Sequence, residues 1–253
     1  MTPRLGRIPY LNTEPFFADD AVRTAARTAP PRLMIDLALD GEVEIAPLPA
    51  VAAFDHPGAF EPVGGFGIAV EDDAKSVLLY TRHPVRELTG RAIGVTDETA
   101  TSVRLLRVLL HERFDVQAYR FESLDARADG YLVIGDRALR DGPPGDALPH
   151  VIDLAAEWHA WTGLPFVFAY WMARRDTPPA AHIEAANYFE ANLTRNLADP
   201  SILYRRRPDL GMSRAQVAAY VRTFNYRFDQ RAWEGLERFR ELDAHVAARE
   251  DAA

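Results

Sequence analysis

Side chains able to do chemistry are sparse in this sequence, and three polar clusters stand out for where they fall. The first is the turn Gly6-Arg7-Ile8-Pro9-Tyr10-Leu11-Asn12-Thr13-Glu14-Pro15-Phe16-Phe17. It reads as the end of a short strand opening onto a helix, with Pro15 suited to the first helical turn and Asn12 or Thr13 able to cap its amides. Asn12 can donate two hydrogen bonds and accept two. In an open α/β sheet such a turn faces the ligand edge, although a plain strand-to-helix turn has the same residue types. The second cluster, Thr99-Ala100-Thr101-Ser102, opens another helix. It offers hydroxyls and free amides to a carboxylate, one hydroxyl being accounted for by ordinary capping. The third is Gly135-Asp136-Arg137-Ala138-Leu139, where Asp136 either orients a donor or caps a short helix.

Other chemistries find no support. The seven histidines, His56, His83, His111, His150, His159, His182 and His245, form no i, i+4 pair and no HExxH arrangement. No metal is therefore expected. The chain has no cysteine, which removes disulfides and thiolate nucleophiles. No glycine-rich dinucleotide fingerprint, Walker loop or nucleophile elbow occurs, and no cofactor is expected. Lys and Arg number 29 against 37 Asp and Glu, a net charge of −8. That balance argues against nucleic-acid binding, and Arg205-Arg206-Arg207 reads as a solvated loop. The hydrophobic fraction is 48% and the charged fraction 26%, as in a globular protein. No apolar stretch approaches the length of about 20 residues that spans a bilayer. The N-terminus lacks the apolar region of a signal peptide, so a cytoplasmic protein without a membrane partner is expected.

The elements that must position these clusters follow two α/β rhythms. In the first, Arg4–Ile8 is a strand, Phe16 to about Arg27 a helix, Arg32–Asp36 a strand, Leu37–Gly41 a brief helix and Glu42–Pro49 a strand. That order implies a parallel sheet. Phe66–Val70 and Ser76–Thr81 flank the acidic turn Glu71-Asp72-Asp73, as an antiparallel pair or as a strand that leaves the sheet. The second rhythm has strands at Ala92–Thr96, Val116–Phe121, Tyr131–Asp136 and Val151–Leu154, and helices at Thr99–His111 and Glu157–Gly163. Leu164–Ala173 reads as a long buried strand. From Pro178 the pattern is helical to the end, with a capping box at Ser213-Arg214-Ala215-Gln216. Two rhythms joined near 66–82 and 164–173 predict two lobes with a ligand cleft between them.

Over essentially its whole length the chain resembles the menaquinone-biosynthesis family of chorismate dehydratases of the futalosine route. The resemblance is carried by Tyr10-Leu11-Asn12-Thr13-x-Pro15, Lys75-Ser76-Val77-Leu78-Leu79, Gly135-Asp136-x-Ala138-Leu139 and Trp158-x-x-Trp161-Thr162-Gly163-Leu164-Pro165-Phe166-Val167-Phe168-Ala169. It implies the α/β fold of type 2 periplasmic binding proteins, with residues 1–82 and 174–253 as one lobe and 83–173 as the other, a cofactor-independent lyase, and a small dicarboxylate substrate handled by a monomer or homodimer. Carried over residue by residue, it makes Asn12 the catalytic residue and Tyr10, Ser76, Thr99, Thr101, Ser102 and Asp136 substrate-binding, with Phe168 and Trp171 beside a flat six-membered ring. The family's Ser-Arg-Thr-Ser stands here as Thr99-Ala100-Thr101-Ser102, so a guanidinium contact at position 100 is lost. The alternatives are a solute-binding protein of the same fold for small anions, and the related 1,4-dihydroxy-6-naphthoate synthase. The synthase opens with Ser-Pro-Cys-Pro-Asn-Asp, which this chain does not have.

Overall fold

The computed structural model describes residues 3–17, 19–145 and 148–251. In chain order the strands and helices are β1 (Gly6–Arg7), α1 (Asp20–Ala25), β2 (Arg27–Thr28), α2 (Pro31–Leu39), β3 (Ile45–Pro49), α3 (Val51–Asp55), β4 (Phe60–Val70), β5 (Val77–Thr81), β6 (Ala92–Val95), α4 (Thr101–Val108), β7 (Arg120–Ser123), β8 (Gly130–Ile134), α5 (Gly135–Arg140), β9 (His150–Asp153), α6 (Leu154–Thr162), β10 (Phe166–Arg174), α7 (Pro179–Ala198), α8 (Ser201–Arg206), α9 (Arg214–Val221), β11 (Phe224–Arg227) and α10 (Gln230–Asp251). They group into two compact units, Met1–Ala69 with Val167–Gln230, and Val70–Phe166 with Arg231–Ala253.

The first unit holds a four-stranded sheet ordered β11-β4-β10-β3 and the parallel pair β1-β2. β3 pairs antiparallel with β10, from Ala173 opposite Ile45 to Ala169 opposite Pro49. It lies at the edge of its sheet, where the missing N–H groups of Pro47 and Pro49 cost few ladder bonds. The core beside it is aromatic. Phe16 meets Trp171 edge-on at a centroid distance of 5.3 Å. It meets Phe189 at 5.6 Å and Tyr226 at 5.5 Å in the same way, the geometry that ring quadrupoles favour.

The second unit holds a five-stranded sheet ordered β7-β6-β8-β5-β9. β6 runs parallel to β7 and β8, whereas β5 runs antiparallel to β8 and β9. Its core is centred on Trp158, whose indole meets Phe166 at 5.4 Å and Phe239 of α10 at 6.1 Å and donates to the Pro165 carbonyl at 3.2 Å. Asp243 of α10 is ion-paired with both Arg104 and Arg107 of α4.

Several expectations stand. The helix at 154–162 ends on Gly163 in the left-handed region, at φ 71°, where glycine carries no Cβ penalty. The Ser213–Gln216 capping box forms both of its bonds, and Phe166–Arg174 is a long, mostly buried strand. Others need correction. Arg32–Asp36 is not a strand, because Pro31 starts a helix and Met34, Leu37 and Ala38 then fall on its buried face at helical spacing. The single helix from Phe16 to Arg27 is instead a 3-10 turn over Leu11–Phe16 followed by α1, which Asp19 caps; Ala18, within that span, lies outside the described residues. Neither larger sheet is all parallel, since β3 and β10 are antiparallel in one and the other is mixed, and β4 and β5 belong to different sheets, as the strand-leaving reading had it. Phe224–Arg227 interrupts the C-terminal helices with a strand of the first sheet. The unit bounds also differ from 1–82 with 174–253 and 83–173. β5 is hydrogen-bonded between β8 and β9, and α10 packs on Trp158, so 70–82 and 231–253 group with the second unit.

Candidate active site

In the first unit the turn over Leu11–Phe16 is built by Thr13. Its hydroxyl donates to the carbonyls of Ile8 at 2.6 Å and Tyr10 at 2.8 Å, and its amide donates to Tyr10 at 3.1 Å. Tyr10, half-buried, is the N-cap in extended conformation, and no side chain caps this turn. Asn12 is therefore not used as a cap, and its Oδ1 is buried without a hydrogen-bond partner. A buried polar atom left unpaired at the mouth of a strand calls for an explanation, and a ligand donor supplies one.

The rest of the turn is closely held. Glu14 is 0% exposed and lies between the guanidinium groups of Arg7 (3.0 Å) and Arg23 (2.7 Å). From α7, Asn192 donates to the Phe16 carbonyl at 2.9 Å, and Asn196 donates to Pro15 at 2.9 Å and Phe17 at 3.3 Å. Burial holds the Arg7 guanidinium below its ordinary pKa, against the pull of Glu14 and with a smaller push from Arg23, Arg207 and Arg206.

In the second unit the strand directions gather five expected residues, Ser76, Thr99, Thr101, Ser102 and Asp136, at one sheet edge. β6 and β8 are parallel and β5 is antiparallel to β8. The C-terminal ends of β6 and β8 and the start of β5 therefore coincide, at the edge where α/β sheets bind ligands. The Thr99–Ser102 turn follows β6, Gly135 and Asp136 follow β8, and Ser76 precedes β5. The Gly135 amide donates to the Ser76 carbonyl at 2.8 Å, and the Ser76 hydroxyl donates to the Ala74 carbonyl at 3.3 Å. Lys75, in the left-handed region at φ 60°, brings the chain into β5; its amide is caught by Asp153 at 2.6 Å. The same carboxylate caps α6 through Ala155 and Ala156. Burial holds its pKa above the usual range despite those bonds.

At the start of α4 the N-cap is Ala100, so no side chain caps the helix. Thr99, Thr101 and Ser102 are all buried, and the hydroxyls of Thr99 and Thr101 have no partner. Neither threonine is spent on capping, and both stand at the positive end of a helix dipole. Asp136 does not cap α5 either. Ile134 is the N-cap, without a side-chain bond, and Asp136 sits buried in the first turn.

The two aromatic residues divide. Phe168 is half-buried on β10, with its carbonyl bound to the Ala50 amide at 3.0 Å. Trp171 has 0% exposure, and Phe189 lies 3.9 Å from its ring, with Phe16 and Phe17 around it. Its faces are filled by the core, which corrects its expected place beside a substrate ring. The sequence reading missed Glu14, Asn192 and Asn196. The two asparagines lie four residues apart on the apolar face that carries Phe189 and Leu193. Polar side chains at buried helical spacing are the signal that marks them.

Among the described residues no group of three or more His, Asp or Glu could hold a metal ion, and no helix is long and apolar enough to cross a membrane.

A family model described as menaquinone biosynthesis matches residues 3–245. The chain is 31% identical over 225 residues to a chorismate dehydratase of Thermus thermophilus, covering 81% of each chain. Among solved structures, a structural-genomics protein of Archaeoglobus fulgidus superposes with a TM-score of 0.77 at 16% identity, covering 98% of both chains. A Candida albicans gene product described as having the generic periplasmic binding protein fold gives 0.60 at 12% identity, covering 97% of this chain and 90% of that one. The periplasmic aliphatic sulphonate binding protein of Escherichia coli gives 0.53 at 13% identity, covering 98% of this chain and 89% of that one. The fold is thus periplasmic-binding-protein-like, and the chain belongs to the menaquinone-biosynthesis family.

Proposed function

We propose that this protein is a chorismate dehydratase, a hydro-lyase that converts chorismate to 3-[(1-carboxyvinyl)oxy]benzoate and water in the futalosine route, without a cofactor. The observation that carries the reading is the Tyr10–Pro15 turn, in which Thr13 makes the structural bonds and leaves the Asn12 amide oxygen buried and unpaired.

In the reaction a ring proton passes to a carboxylate oxygen of the substrate itself. The electrons of the broken C–H bond enter the ring, the ring C–O bond breaks, and hydroxide leaves to become water with that proton. Aromaticity of the product supplies the driving force. What remains for the protein is positioning and electrostatic stabilisation. The Nδ2–H groups of Asn12 donate to and orient the carboxylate that acts as base, and its buried Oδ1 accepts from a hydroxyl of the substrate; neither an amide nor a threonine hydroxyl has a pKa suited to taking a proton at neutral pH. The hydroxyls of Thr99, Thr101 and Ser102 bind a substrate carboxylate, with Tyr10, Ser76, Asp136 and Phe168 as further contacts. A cytoplasmic monomer or homodimer completes the proposal.

The test is incubation with chorismate, followed by absorbance and mass. The aromatic enol ether, lighter by one water, is the expected product. Saturable binding without turnover favours a solute-binding protein, a reading supported by the binding proteins among the structural neighbours. Absence of both turnover and binding removes chorismate as the substrate.

A further inference from the structure

Glu14 is an unfavourable residue to place where it is. Its side chain is fully buried two residues from Asn12, and a buried carboxylate is tolerated only when it is paired and hydrogen-bonded. An apolar side chain would fill the space without that cost. Glu14 adds direction instead. One carboxylate oxygen takes Nη2 of Arg7 at 3.0 Å, and the other takes Nε of Arg23 at 2.7 Å. Arg7 belongs to β1 and reaches Thr28 of β2 at 3.2 Å, and Arg23 belongs to α1. The carboxylate therefore ties the Asn12 turn to three neighbouring elements.

The surrounding charges make that tie sensitive. Arg206 pairs with Asp20 and donates to the Phe17 carbonyl, Arg207 pairs with Asp209 at 2.7 Å, and both are near enough to act on Arg7. Glu14 is the buried anion among four guanidinium groups. Removing its charge while keeping its shape leaves Arg7 and Arg23 facing each other without a counter-charge, and their repulsion acts directly on the 11–17 segment.

We infer that Glu14 is a positioning residue for Asn12, holding the turn through the guanidinium groups of Arg7 and Arg23. The inference rests on the proposed role of Asn12 for its kinetic readout. A misplacement of even about 1 Å costs up to about a hundredfold in rate when orientation carries the catalysis. Glu14→Gln is thus expected to lower kcat at least about tenfold with KM within about threefold, while unfolding stays cooperative. Arg23→Lys keeps the charge but loses the fork that reaches both Glu14 oxygens at 2.7 and 3.3 Å, and its kcat is expected to fall between those of the wild type and Glu14→Gln.

A Glu14→Gln protein with wild-type kcat overturns the inference, as does one whose loss of activity only follows its folded fraction. Should Glu14→Gln not fold, Arg23→Gln leaves Glu14 paired to Arg7, and an unchanged kcat in that variant overturns it equally. Amide hydrogen exchange gives a readout independent of the substrate. Exchange in residues 11–17 should rise about tenfold or more in the folded variant while β5 is unchanged, and an equal rise in both sinks the inference. If the wild-type protein does not convert chorismate, the proposed function fails, and exchange still decides the role of Glu14.

Discussion

The side-chain amide of Asn196 donates to the carbonyl of Pro15 at 2.9 Å across a sequence separation of 181 residues. Together with Asn192 it satisfies three successive carbonyls, of Pro15, Phe16 and Phe17, in the segment that follows Asn12. Replacing Asn196 by Ala leaves the Pro15 carbonyl without this donor inside the core, at a cost of about 1 to 3 kcal/mol. Urea unfolding should show a lower midpoint at unchanged m-value. An unshifted midpoint would mean that water reaches these carbonyls.

Asn12→Ala is expected to keep stability within about 0.5 kcal/mol, because Oδ1 makes no bond that the fold uses. Turnover of chorismate should fall by about a hundredfold or more. An enzyme that keeps full turnover without this amide has its catalytic group elsewhere.

Thr101→Val tests the hydroxyl at the start of α4, which is buried and unpartnered. Replacing such a hydroxyl by a methyl of the same shape is nearly neutral or stabilising. Losing a hydrogen bond to a ligand carboxylate, worth about 2 kcal/mol, weakens affinity more than about tenfold. Thermal unfolding at an equal or higher temperature, with KM raised about tenfold or more, is the expected combination. Lower stability with an unmoved KM would assign the hydroxyl to the fold.

Gly67 on β4 is a packing position. A Cβ there would lie 2.3 Å from Cζ of Phe228 and 2.6 Å from the Ala169 carbonyl oxygen. Gly67→Ala should destabilise by about 1 to 3 kcal/mol or more, since backbone of the neighbouring strand has to move. A Cβ at Gly163 meets nothing within 4 Å, and the only strain there is its φ of +71°. The loss in Gly163→Ala should therefore be about 1 kcal/mol. Equal losses in the two variants would contradict this packing.

Stability at high pH follows the tyrosines. Burial pushes Tyr170 up to about 12 and raises Tyr80, Tyr119, Tyr188 and Tyr226 as well. The folded state then holds phenolic protons that the unfolded chain releases near pH 10. Stability from these groups is fully present below about pH 10 and is lost as pH rises towards about 12, by roughly 2 to 3 kcal/mol for Tyr170. Urea midpoints from about pH 9 to 11.5, followed with phenolate absorbance, should fall together with the appearance of phenolate. Phenolate that forms fully before unfolding would refute the assignment.

Local chemistry determined much of this protein from sequence. Gly163 ends α6 because it accepts positive φ, Ser213 and Gln216 close a box over a single turn, and the run from Leu164 to Ala173 is too apolar to be anything but interior. The polar turns at Asn12, Thr99 and Asp136 were legible because each lies a short way beyond the end of a strand. Tertiary structure decided what local pattern leaves degenerate. Arg32–Asp36 suits a strand by composition, yet the burial of Met34, Leu37 and Ala38 on one face makes it helical. Trp171 reads as a ring contact until Phe189 is seen against it. Strand direction, a long-range property, is what puts Ser76, Thr99, Thr101, Ser102 and Asp136 at one edge. Glu14 and Asn196 look like ordinary surface residues in sequence. Their partners lie on other elements, and only folding brings a buried carboxylate to two guanidinium groups or a helix amide to a distant carbonyl.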